Sequence, residues 1–155
     1  MNKMTSSAVQ KADYFLAKGF SAHQTGNFEK AEKIYRRILK THPNHGDALH
    51  FLGLLAHQNG KNEAALKLIT KATQAKPEDV SIYTNLAIVY NALMQWQQAE
   101  GACRAALEIQ ADHSEASNNL GRALAGQGKF DGAENAYCHA VRSDRKNAAA
   151  YNNLG

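Results

Sequence analysis

LHFLGLLAHQNGKNEAALKLITKATQAKP, residues Leu49 to Pro77, decides the fold. Small and apolar residues recur in it at spacings of 3, 4 and 7, first as Leu49, Leu52, Gly53 and Ala56, then as Ala65, Leu68, Ile69 and Ala72. That is the period of two successive amphipathic helices. Gly60 stands between them and Pro77 after the second, which matches the use of Gly to end a helix and of Pro beyond its end.

The same pattern returns 34 residues later in YTNLAIVYNALMQWQQAEGACRAALEIQA (Tyr83 to Ala111) and again in SNNLGRALAGQGKFDGAENAYCHAVRSDR (Ser117 to Arg145). It also extends backwards, to FLAKGFSAHQTGNFEKAEKIYRRILKTHP (Phe15 to Pro43). Four units therefore occupy 12–45, 46–79, 80–113 and 114–147; AAAYNNLG at 148–155 starts a fifth, and 1–11 extends the first helix. A fixed period in the range of ~20–50 residues is the mark of a repeat array. The turn glycine is Gly26, Gly60 and Gly128 in three units, whereas Met94 takes its place in the other, so a strained or rearranged turn is expected there. Ser7-Ala8-Val9-Gln10 reads as a capping box and starts the first helix near Ser7.

The register assigns the packing. Gly19, Gly53, Ala87, Gly121 and Gly155 share one place in the first helix of each unit, and Ala31, Ala65, Ala99 and Ala133 share one in the second. Lack of bulk there lets two antiparallel helices approach to ~8–10 Å. Phe28, Trp96 and Phe130, together with Tyr35, Ile69, Cys103 and Tyr137, read as core positions of the second helices. No such unit buries its apolar face alone, so the expected fold is all-α: a right-handed α-solenoid of antiparallel helix pairs with a concave and a convex side.

Composition bounds the function. The chain has 155 residues, 44% of them hydrophobic and 21% charged, which suits a folded chain and not a disordered one. No window approaches ~18 uninterrupted apolar residues and the first residues lack a secretory apolar stretch, so neither a spanning helix nor a signal is read, and the expected compartment is cytoplasmic. Two cysteines, Cys103 and Cys138, make no disulfide framework or CxxC motif and read as reduced thiols. The net charge of +4 is too modest to argue for nucleic acid.

This pattern resembles the tetratricopeptide repeat family, whose signature W-x2-L-G-x2-Y, Ala, aromatic, Ala, Pro has the same spacing over nearly the whole chain. Lys18 departs from it where Leu52, Leu86, Leu120 and Leu154 stand in later units, and Ala111 and Arg145 replace the closing Pro. The run ILKTHPNHGDALHFLGLLAHQNG is similar to the opening repeats of bacterial proteins in which such arrays precede glycosyltransferase, methyltransferase or sulfotransferase domains. The resemblance implies a module that binds a peptide or helix of a partner protein in its concave groove, or else the substrate-recruiting front end of a larger enzyme.

The face of each first helix left over from the core lies offset by 3 and 4 residues. It carries Leu16, Phe20, His50, Phe51, Leu54, His57 and Ile88 as an apolar and aromatic stretch, then Thr84, Asn85, Asn118, Asn119 and Arg122, with Asn153 in the fifth unit. A contiguous apolar strip suggests a partner surface unless other residues cover it. Asn85, Asn119 and Asn153 lie 34 apart and are expected to stack as a ladder whose amides both donate and accept. It is similar to the asparagine ladder that holds peptides in O-linked N-acetylglucosamine transferases, although Asn is also common at this place without such a role. Leu16 and Phe20 stand where chaperone-binding members carry a basic residue and an amide, which argues against a chaperone C-terminal tail as ligand.

Other chemistry is not expected. His50 and His57 lie two turns apart, ~10 Å along the axis, whereas zinc needs ligands ~2 Å from one point, so no metal site is read. Lys33, Arg36, Arg37 and Lys40 are interrupted by Glu29 and Glu32 and read as a solvated convex face; acidic Asp13, Asp47 and Glu115 on the groove weaken an RNA-binding reading. No nucleophile–base pair, ligand cluster or phosphate loop appears, so no catalytic residue and no cofactor is assigned. Leu154-Gly155 falls in mid-helix and reads as a cut array, whose edge at Phe130, Tyr137, Val141, Tyr151 and Leu154 is expected to self-associate.

Overall fold

The computed structural model describes residues 3–154, with side chains from residue 10 onward. Among them lie nine helices: α1 (Lys3–Gln24), α2 (Phe28–Thr41), α3 (Gly46–Gln58), α4 (Asn62–Ala75), α5 (Val80–Ala92), α6 (Trp96–Ile109), α7 (Ser114–Gly126), α8 (Phe130–Ser143) and α9 (Ala148–Leu154). The starts of α3, α5, α7 and α9 fall 34 residues apart, as do those of α2, α4, α6 and α8. The fold is all-α, built of antiparallel helix pairs of the α-solenoid type. Helix α1 begins at Lys3, ahead of the expected Ser7. The Ser7 side chain and Gly155 lie outside the described residues.

The chain divides into two compact units, Met1–Lys76 and Pro77–Gly155. In the first, α1 packs on α2, α3 on α4, and α2 on α3. In the second, α5 packs on α6 and α7 on α8, while α7 also meets α5 and α6, and α9 lies on α8.

Small residues make these pairs possible. Ala31, Ala65 and Ala99 are wholly buried, and a Cβ built on Gly53 would stand 2.5 Å from Ile69 Cγ1 and 3.4 Å from the backbone oxygen of Ala65. On Gly19 it would stand 2.6 Å from Tyr35 Cε1. Opposite a large partner (Tyr35, Ile69, Tyr137) the first helix carries Gly; in the remaining unit Cys103 is small and Ala87 stands in the Gly place. The two helices thus keep their separation by trading volume across the seam.

All four intra-pair turns close in the same way. The N–H groups of Gly26, Gly60, Met94 and Gly128 reach the carbonyls of His23, His57, Asn91 and Ala125, and those of Asn27, Lys61, Gln95 and Lys129 reach Ala22, Ala56, Tyr90 and Leu124. These are paired Schellman bonds, which require a left-handed residue after the helix. The glycines have φ between 72° and 76°, and Met94 adopts φ 56°. The turn is therefore not rearranged at Met94; its backbone takes the strain while its side chain, 72% exposed, makes no compensating burial. Met94→Gly is expected to raise stability by about 0.5–1 kcal/mol, the left-handed penalty less the entropy glycine loses on folding. A urea midpoint for Met94→Gly no higher than the parent's would contradict this.

Two expectations about the core are corrected. Phe28 and Phe130 are 42% and 70% exposed, and Trp96 is half-buried. Each sits at the first helical position after the turn, and the Phe28 ring lies edge-on to that of His23, centroids 5.6 Å apart. Trp96 shows what such a ring does, lying where a Cβ on Gly126 would fall 2.7 Å from its Cε2. Tyr137, expected at a partly covered edge, is instead buried against Gly121. Tyr151 and Leu154 are exposed, and Val141 is half-buried.

Candidate functional site

Each unit presents its own first-helix face. In the first unit, Asn27 caps α2 and His45 caps α3, the His45 Nδ1 accepting from the Ala48 N–H at 3.4 Å. The face of α1 and α3 then carries a chain of rings. Phe51 stacks on Tyr35 at 5.7 Å and on His50 at 5.4 Å, and its ring centroid lies 5.2 Å from that of Phe20. Tyr35 is fully buried and its hydroxyl has no hydrogen-bond partner among the described residues; burial pushes its pKa up to about 12. His50 is buried as well. Phe51, Leu16 and Leu54 are half-buried, and Phe20 is 41% exposed. The apolar strip is thus narrower than the spacing implies, with Phe20 as its open tip. The Phe51 ring is held by stacking on Tyr35 and His50, and Phe20 leans on it at a tilt of 42°, which presents the tip at little entropic cost.

The histidines at the end of this face are engaged separately. His23 Nε2 meets Gln58 Oε1 at 3.2 Å and His57 Nδ1 meets Asn62 Oδ1 at 2.7 Å. Among the described residues, no three His, Cys, Asp or Glu side chains are grouped as metal ligands. On the second helix, Lys33 pairs with Glu29 and Arg36 with Glu32, one turn apart, while Arg37 lies 4.4 Å over the Phe15 ring. Such exposed pairs contribute little stability and leave a solvated face.

In the second unit the amides behave differently from a ladder. Asn119 is 3% exposed and its Nδ2 donates to the Glu115 carbonyl four residues back, at 2.9 Å. The backbone carbonyl of Asn119 in turn accepts from Asn91 Nδ2 at 3.1 Å, and Asn91 Oδ1 is buried with no hydrogen-bond partner among the described residues. The expectation that the Asn119 amide faces solvent or ligand is therefore corrected: its donor satisfies its own helix. Thr84 is corrected in the same way, being 1% exposed with its hydroxyl on the Val80 carbonyl. Asn118 is 8% exposed and its Oδ1 accepts from Asn153 Nδ2 at 2.9 Å, which ties α9 to α7. Asn153 and Arg122 are exposed, and Asn85 and Ile88 are half-buried. What remains accessible is a polar patch with one cation, suited to pairing with peptide backbone and carboxylate.

The spacing places Asn91 on the first-helix face, although the site assigned from the sequence leaves it out. Its place falls 34 residues from His57, and His57 34 from His23, so this position carries a polar group with a partner in the first three of the four repeats, Ala125 holding it in the fourth. That periodic polarity was the available signal. Cys103 offers no chemistry, since it is fully buried and burial pushes its thiol up to about 12.

Two family profiles described as tetratricopeptide repeat match residues 16–80 and 78–146. The chain belongs to the tetratricopeptide repeat family. It is 28% identical over 130 residues to Protein FlbA of Caulobacter vibrioides, covering 84% of this chain and 22% of that protein, so the chain spans about a fifth of that relative's length. Among solved structures it is similar to the O-GlcNAc transferase of Thermobaculum terrenum, with a TM-score of 0.80 and 25% identity over 87% of this chain and 26% of that one. It is also similar to the first tetratricopeptide domain of Spaghetti (RPAP3) bound to an HSP90 peptide, with a TM-score of 0.68 and 26% identity over 70% of this chain and 86% of that one. No helix among the described residues is long and apolar enough to cross a membrane.

Proposed function

We propose that this chain is a protein-interaction module that takes a peptide or helix of a partner protein on its first-helix faces. The observation that carries the reading is Phe20, 41% exposed yet held against Phe51, on a face where Leu16 and Leu54 are half-buried. An aromatic side chain held against a second ring and open to solvent suits the anchor of an interface. The RPAP3 domain, similar in fold, holds a peptide. Here Leu16 and Phe20 occupy the places of the clamp's basic residue and amide, so the first unit favours an apolar side chain of the ligand over a terminal carboxylate. In the second unit, Asn85, Asn153 and Arg122 offer the polar contacts.

The test is selection of peptides from a displayed random library on the whole chain, followed by calorimetry on the variants. Phe20→Ala is expected to weaken the selected peptides at least fivefold while leaving the melt unchanged. Lys33→Ala, on the solvated second-helix face, is expected to bind like the parent. Peptides that bind Phe20→Ala normally would remove the aromatic anchor from the reading.

A further inference from the structure

A second surface lies in the first unit, and none of the first-helix face residues lines it. Between α1 and α2 is a cavity of about 220 Å³ whose floor is Ala12, Phe15 and Ile38 and whose rim carries Lys11, Arg37 and His42. Ala12 and Ile38 are buried and Phe15 is half-buried, while Lys11 and Arg37 are exposed. Among the described residues, every ionisable group lining the cavity is thus basic, and its floor is apolar. Arg37 lies over the Phe15 ring, which holds its guanidinium beside the opening.

The complementary chemistry occurs once more in the same chain. Phe130, on the first turn of α8 in the second unit, is at 70% the most exposed aromatic side chain among the described residues. Asp131 follows it directly and Glu134 stands one turn further on, and both are exposed. An open phenyl ring with Asp131 and Glu134 beside it, the Lys129 ammonium before it being paired with Glu100, is complementary in sign to an apolar floor with a basic rim.

We infer that Phe130 of one molecule seats in the α1–α2 cavity of a second copy, with Asp131 and Glu134 meeting Arg37 and Lys11. The contact is heterologous: each molecule carries one of each half, so association continues along a chain or closes into a ring. One phenyl group buries about 150–250 Å², far below the ~1,200–2,000 Å² of a stable interface. The association is therefore weak, with a Kd on the order of 10⁻⁴ M, and it weakens as salt screens the charges.

Sedimentation velocity and light scattering on the whole chain, from micromolar to near-millimolar concentration, read the prediction directly. The mean mass should rise with concentration and fall back on addition of salt. Phe130→Ser and Arg37→Glu should each return the chain to monomer while it stays folded, the melt of Arg37→Glu falling only by what the contact with Phe15 contributes. The decisive arm mixes Arg37→Glu with the double variant Asp131→Lys, Glu134→Lys. Each alone places like charges at the contact and should be monomeric, whereas in the mixture the unaltered Asp131 and Glu134 of one variant meet the unaltered Arg37 and Lys11 of the other, and the two should associate. A strict monomer at the highest concentration overturns the inference, and so does self-association that Phe130→Ser leaves intact.

Discussion

Leucine in place of Ala65 is expected to destabilise the chain by about 2–3 kcal/mol, the upper part of the usual range for overpacking a full core. Ala65 has no exposed surface, and its carbonyl oxygen stands 3.4 Å from where a Cβ on Gly53 would be. Three added carbons have no void to enter, so either α3 and α4 separate or the leucine takes an unfavourable rotamer. Separation would also loosen Ile69, which fills the space over Gly53. In a repeat fold the cost spreads, because each helix pair relies on its neighbour to cover its apolar side. The control is one residue away: Ala64 is exposed, and Ala64→Leu should stay within about 0.5 kcal/mol of the parent. Urea titration of both variants separates the cases, and equal midpoints for Ala65→Leu and the parent would mean that the helix seam lies elsewhere.

That seam was legible before any coordinates because it follows from two local rules. A 34-residue recurrence of Gly or Ala in both helices of a pair leaves room for close approach only if those places face each other, and the turn glycines locate the ends. The misreadings share a different origin. Position within a repeat does not say which neighbour covers a side chain: Trp96 and Phe130 hold the same place, yet one ring lies over Gly126 and the other stands open. Nor does it say where an amide finds its partner. Asn119 lies 34 residues from Asn85 and from Asn153, but the carbonyl of Glu115 lies one turn back on its own helix and takes its donor. At Met94, of the two outcomes expected, strain and not rearrangement is the one observed. The Schellman bonds and the packing of two helices outweigh ~1–2 kcal/mol of left-handed strain at one residue, so the turn is kept and the residue bends.

Glu100 is the group whose removal should show most clearly in acid. It projects from α6, with a side chain 16% exposed, toward the end of α7 and the turn after it. Oε1 accepts from Arg104 Nε and Nη2 at 3.0 and 2.8 Å, and Oε2 accepts from Gln127 Nε2 at 2.8 Å and Lys129 Nζ at 3.1 Å. These bonds, the Arg104 bond first and then that of Gln127, lower its pKa from the ordinary 4.5 to about 2. A carboxyl whose folded pKa lies below its unfolded one binds fewer protons in the folded state, so its contribution is complete above pH 4.5 and is lost as pH falls toward 2. Arg104 and Lys129 are 59% and 55% exposed, and solvent screening reduces the contribution to roughly 1–2 kcal/mol. Glu100→Gln keeps the size and the acceptor oxygen but removes the charge. At neutral pH it should therefore be less stable than the parent by about that amount, and the gap should close between pH 4.5 and 2 as the parent's own carboxylate protonates. Stability curves of the two proteins that run parallel through that window would show that Glu100 is held by packing alone, and that the α6 to α7 junction owes nothing to its charge.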